Sequence, residues 1–150
     1  MKRILPLLML FVVVAPAVAQ QKLGAFDYQG LRIGMTRAQV DATLAQYHKP
    51  QAIRWDRSGR VCTVRENLDT MRINVNLDKD RFRVNSISVM DMVYPFNLFR
   101  VQFLEHYGEP NKKSTDTEYE WTIQEPAHFE RLHVSLNEGQ SQMTLMGTIE

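Results

Sequence analysis

The sequence predicts an α+β domain, in which two short helices pack on one face of an antiparallel sheet as a tandem α-β-β-β repeat. Three observations predict it. Leu44, Tyr47 and Pro50 spell L-x-x-Y-x-x-P, and Leu104, Tyr107 and Pro110 spell it again at an offset of 60, each time at the end of a helical pattern. Each copy is followed by a run in which apolar and polar residues alternate, Ile73, Val75 and Leu77 in the first half and Leu132, Val134 and Leu136 in the second; that period of two marks a half-buried strand. Turn residues then intervene, Asp78-Lys79-Asp80 and Asn137-Glu138-Gly139-Gln140, so each strand is expected to return as a hairpin.

The elements are justified in chain order. Lys2 and Arg3, the apolar run from Ile4 to Val14, and Ala17-Val18-Ala19 have the order of a signal peptide, so 1–19 is expected to be removed and Gln20 to begin the mature chain. The apolar run is too short for a transmembrane helix, which needs about 20 residues. The first helix is expected to start at Thr36, with Gln39 completing a capping box and Met35 stapled to Val40. Val40, Leu44 and Tyr47 then share one face, and Pro50 forbids continuation. A strand from Gly59 to Arg65 follows, then the hairpin of Met71–Leu77 and Phe82–Val89, whose apolar parity switches between Val84 and Ile87 and so predicts a bulge near Asn85. The second helix is expected to be capped by Asn97, with Phe96 stapled to Val101, a face of Val101, Leu104 and Tyr107, and Gly108 at its end. Tyr119, Trp121 and Ile123 form the next strand, and Leu132–Leu136 and Met143–Ile149 close the chain. Repeat one covers about 30–91 and repeat two about 96–150 of a single domain, 20–150. A unit of about 60 residues buries little surface alone, so the halves are expected to share one sheet and one core.

Composition excludes several functions. Without Lys2 and Arg3 the 18 Lys+Arg fall to 16 against 17 Asp+Glu, a formal charge of −1, so no concentrated positive face for nucleic acid is expected. Cys62 is the one cysteine, so no internal disulfide can form, and its place in the strand-like Val61-Cys62-Thr63-Val64 reads as a small buried hydrophobe. Position 20 is Gln, whereas a lipoprotein carries a cysteine after its cleavage point, so the mature protein is expected not to be membrane-anchored. His48, His106, His128 and His133 stand at no zinc-binding spacing. Glu118 and Glu120 read as a solvated strand face, and Asp78-x-Asp80 as an ordinary turn. No catalytic, cofactor or metal site is expected.

The run Gly30-Leu31-Arg32-Ile33-Gly34-Met35-Thr36-Arg37-Ala38-Gln39-Val40 is similar to the GM[ST]xx[EQ]V opening of the SmpA/OmlA (BamE) lipoproteins and of the tandem-repeat β-lactamase-inhibitor-like fold. Tyr107-Gly108-Glu109-Pro110 looks like the glycine-proline pair that ends such helices. The resemblance implies a protein that binds other proteins and is not an enzyme. The lipid-bearing cysteine and the disulfides of secreted inhibitors are absent, so neither family's specific role carries over.

The expected function is a periplasmic, non-enzymatic protein-binding module of the bacterial envelope, whose partner is another envelope or secreted protein; the alternative is an inhibitor or immunity protein that blocks a secreted hydrolase such as a lysozyme. The side of the hairpins opposite the apolar stripe carries Arg72, Asn74, Asn76, His133 and Ser135, poor in carboxylates and rich in neutral polar groups. Interface cores are depleted in charge. Trp55 and Arg57, of residue types enriched in binding hot spots, are expected to extend that surface from the adjoining loop.

Overall fold

In the computed structural model, residues 23–66 and 70–149 are described. The expected signal peptide and the expected start at Gln20 lie outside them. The predicted fold class is corrected: the described residues are 48% strand and 19% helix, dominated by one eight-stranded antiparallel sheet, with only two α-helices among them.

The chain opens with a small hairpin, β1 (Asp27–Tyr28) and β2 (Leu31–Arg32), turned by Gln29 and Gly30, whose φ of 51° and 79° give the mirror-image turn that suits twisted strands. Helix α1 (Arg37–Leu44) carries the capping box: the Gln39 N–H donates to Thr36 Oγ1 at 3.3 Å, and the Thr36 N–H donates to Gln39 Oε1 at 2.8 Å. Met35, Val40 and Leu44 are buried, but Tyr47 is 56% exposed because the helix ends at Leu44, before the turn that would bring Tyr47 inward.

Then come β3 (Ile53–Trp55), β4 (Val61–Glu66), β5 (Met71–Leu77) and β6 (Val84–Asp91). Between β5 and β6 the register passes from Asn76↔Ser86 to Leu77↔Val84, so Asn85 is the unpaired bulge residue. Helix α2 (Phe96–Tyr107) is capped by Pro95, two residues earlier than Asn97; both the Leu98 and Phe99 N–H groups donate to the Pro95 carbonyl at 3.0 Å. Its buried residues are Phe96, Phe99 and Phe103, while Val101 is exposed. The helix is apolar on more than one side, and the three bulkier rings take the core. Gly108 ends it at φ 73°, where a Cβ would be strained, and its N–H donates to the Leu104 carbonyl at 2.8 Å.

The second half adds β7 (Lys113–Ser114), β8 (Glu118–Glu125), β9 (His128–Asn137) and β10 (Gln140–Ile149). The sheet order is β3-β4-β5-β6-β10-β9-β8-β7, so each half is a four-strand meander after its helix and not three strands, and the last strands of the halves meet at the centre. The strands that sequence patterning missed have two or three residues, too few to display alternation.

Two apolar rows cross the sheet on the helix side. Val64, Ile73, Val89, Met143, Val134 and Tyr119 form one; Cys62, Val75, Ile87, Leu145, Leu132 and Trp121 form the other. With the residues of both helices they make one continuous core. At about 25 cal/mol per Å² such rows supply most of the gross stabilisation. Among the described residues no helix is long and apolar enough to cross a membrane.

Candidate functional site

The opposite side of the sheet is left uncovered by the helices. One row of neighbours spans all eight strands there: Arg54, Thr63, Asn74, Ser88, Thr144, His133, Glu120 and Lys113. A second row runs from Arg65 through Arg72, Met90, Gln142 and Ser135 to Glu118, and a third joins Asn76, Ser86, Met146 and Arg131. The register therefore brings Arg72, Asn74, Asn76, His133 and Ser135 onto one surface.

Charge on this surface is sorted by strand. Arg54, Arg65 and Arg72 stand at the β3–β5 end, while the central strands β6 and β10 present Ser86, Ser88, Met90, Gln142, Thr144 and Met146, with no ionisable group. At the β7–β9 end the acids are paired, Glu118 with Lys113 and Glu120 with Arg131 at 2.6 Å. Short polar links pre-order the face: Thr63 donates to Asn74 Oδ1 at 3.1 Å and Asn76 donates to Ser86 at 2.9 Å. The Nε atoms of Arg72 and Arg131 are buried without an acceptor. Burial, followed by the charge of Arg131, holds the His133 imidazole below its ordinary 6.5 against the opposing pull of Glu120, which favours its neutral form.

The structure does not bring Trp55 to this face. Trp55 lies opposite Cys62, on the helix side, where its indole N–H donates to Asp41 Oδ1 at 2.7 Å and the Arg37 guanidinium lies 4.6 Å from the ring centroid. It fastens β3 to α1. Arg57 stands exposed in the β3–β4 turn, outside the paired positions that make up the polar rows. Cys62 is fully buried, and burial, then the charge of Asp41, pushes its thiol up to about 12.

Two polar clusters escaped sequence reasoning. His48 is buried, with Nδ1 3.1 Å from Glu66 Oε1 and Nε2 3.1 Å from Gln29 Oε1. Glu130 is 0% exposed and accepts the Ala25 N–H at 2.8 Å, the Phe26 N–H at 3.0 Å and a bond from His128 Nε2. It ties the N-terminal segment to the sheet. Gly24 permits this approach, since a Cβ there would lie 2.6 Å from Glu130 Oε1. Extending the parity of Leu132 and Val134 back along the strand reaches Glu130 and His128, and that is the signal that could have found them.

Among the described residues no group of three His, Cys, Asp or Glu side chains is placed to hold a metal. Comparison with protein-family models, with curated proteins and with solved structures finds no match.

Proposed function

We propose that this chain is a non-enzymatic protein-binding module of the bacterial envelope, exported to the periplasm, and that it holds a protein partner on the open sheet face. The observation that carries the reading is the distribution of polarity on that face. An uncovered eight-stranded surface ordinarily carries scattered Lys and Glu, whereas here the two central strands carry none and the excess of positive charge is gathered at one end, the cations of the other end being matched by Glu118 and Glu120. A charge-poor centre with charge at the margin is the anatomy of a recognition surface. The arginine end suits a partner that presents carboxylates, which steer the encounter. The signal-peptide pattern of 1–19 and the likeness of Gly34–Val40 to envelope proteins support the compartment.

The test places charge at the centre of the face. Thr144→Glu and Ser88→Glu add unpaired carboxylates among Asn74, His133 and each other. Cross-linking to the native periplasmic partner is expected to fall by about tenfold or more, since an uncompensated charge in a contact costs more than about 1.4 kcal/mol. Unchanged cross-linking by variants with native circular dichroism would remove the sheet face from consideration.

A further inference from the structure

On the other side of the sheet, the helix layer is incomplete. Between α2 and the β1–β2 hairpin lies a cleft of about 360 Å³, floored by Met71 and Asp91 at the ends of β5 and β6. That volume lies within the range of roughly 300–1,000 Å³ typical of small-molecule sites.

Aromatic rings form one wall. Tyr94, just before α2, and Phe99, Phe103 and Tyr107 on it follow one another with successive centroid separations of 6.3, 5.3 and 6.5 Å, and Tyr28 faces them from the hairpin. Two carboxylates, Asp27 and Asp91, join Gln29, Gln102 and His106 in the rest of the lining, and no Lys or Arg is part of it. Asp27 is largely engaged: Gly30 N–H donates to it at 3.0 Å, Arg32 lies 3.5 Å away and His106 4.0 Å. Asp91 is not. Its Oδ1 accepts the Val93 and Tyr94 N–H groups at 2.9 and 2.8 Å, and among the described residues no hydrogen bond ends on Oδ2 and no cation pairs with it. Burial, then the charge of Asp91, pushes the Tyr28 hydroxyl up to about 12, which places that hydroxyl within the field of the carboxylate.

We propose that this cleft binds a small organic cation, an ammonium on an apolar stem, with the charge at Asp91 and the stem along the α2 rings. Aromatic faces attract a cation electrostatically and accept its alkyl or aryl body, and the carboxylate supplies the counter-charge in a partly desolvated setting. An anion meets two like charges there, and a neutral ligand forgoes both attractions. The site is separate from the open sheet face, so neither reading depends on the other.

Three probes of one skeleton isolate the charge: phenethylamine, 2-phenylethanol and phenylacetate, titrated into the purified chain and followed by calorimetry and by backbone amide shifts. Phenethylamine, protonated at neutral pH, is expected to bind about tenfold or more tightly than the alcohol, with shifts confined to 27–29, 91–94 and α2, and phenylacetate is expected not to bind. Asp91→Asn keeps an acceptor for the Val93 and Tyr94 N–H groups but removes the charge, and it should reduce the preference for amine over alcohol to about twofold. Tyr94→Leu, at an exposed ring, should weaken amine binding without altering the circular dichroism. Absence of phenethylamine binding, equal binding of the three probes, an undiminished preference in both variants, or preference for a lysine tripeptide over the free amine would overturn the assignment.

Discussion

Replacing Glu130 by leucine should be among the most destabilising single changes available in this molecule. The side chain is 0% exposed and receives three donors, two of them backbone N–H groups of the N-terminal segment at 2.8 and 3.0 Å. Leucine has similar bulk, so the cost is not a cavity; it is the orphaning of Phe26 N–H and His128 in the interior and of Ala25 N–H at its margin. Each buried donor left without a partner costs about 1–3 kcal/mol, and the three are coupled through one carboxylate, so a total loss of about 3–5 kcal/mol is expected. Against a typical stability of about 5–15 kcal/mol that is a large share. Glu130→Gln retains an acceptor oxygen and loses the charge-assisted part of the bonds, so it should cost about 1–2 kcal/mol. Urea unfolding followed by the fluorescence of Trp55 and Trp121 measures both values. Native-state hydrogen exchange adds location, because Ala25 and Phe26 amides should lose protection before the central strands do. A leucine variant within about 0.5 kcal/mol of the parent, the range of ordinary surface changes, would show that the carboxylate does not fasten the segment as described.

Four further outcomes are expected. Cys62, with its thiol pushed up to about 12, should resist a thiol reagent in the folded protein even at mildly alkaline pH and react once urea unfolds it. Gly108→Ala should lower stability by about 1–2 kcal/mol in thermal melts, because φ 73° with ψ −159° lies outside the region that a Cβ tolerates. His133 should titrate below 6.5 by NMR, and Arg131→Gln should raise its midpoint by removing a positive neighbour. Because the folded protein favours the neutral imidazole, its contribution to stability is present above 6.5 and is lost as pH falls toward the lowered folded value. Intact-mass measurement of the exported protein is expected to find Gln20 at its start, and a chain retaining Met1 would contradict the proposed compartment.

The parts of the fold legible in the sequence were those governed by local rules. The capping box at Thr36 and Gln39 involves residues three apart, and the bulge at Asn85 shows as a parity switch within one strand. Long-range register was not legible, and it decides which side of the sheet a residue joins. Trp55 is an example: its pairing with Cys62 turns it toward α1, a fact that no pattern within the three residues of β3 contains. Helix α2 misled for the opposite reason, since Phe96, Phe99 and Phe103 compete with Val101, Leu104 and Tyr107 and only the shape of the sheet beneath selects the winner. Apolar patterning also began β9 too late, at Leu132, because Glu130 and His128 occupy inward positions with polar groups, Glu130 bonding to the N-terminal segment and His128 to Glu130. The polar face was legible as parity, whereas the cleft beside α2 was not, because its walls come from four separate stretches of chain.

The meeting of β6 with β10 at the centre of the sheet has a kinetic consequence. Every other pairing in that sheet joins strands consecutive in the chain, so each half can zip up as a meander of hairpins, events of about 1–10 μs apiece. The seam is different: Val89 must find Met143 and Ile87 must find Leu145, across a stretch of chain that contains α2 and the first three strands of the second meander. Closing it is the high-contact-order step, and it sets the pace of folding. Until it closes, each half exposes an unpaired inner strand whose one matching edge belongs to the other half. Two chains that meet at this stage can exchange halves, and a backbone cut between Asp91 and Phe96 would leave two fragments whose complementary edges are the route by which they recombine.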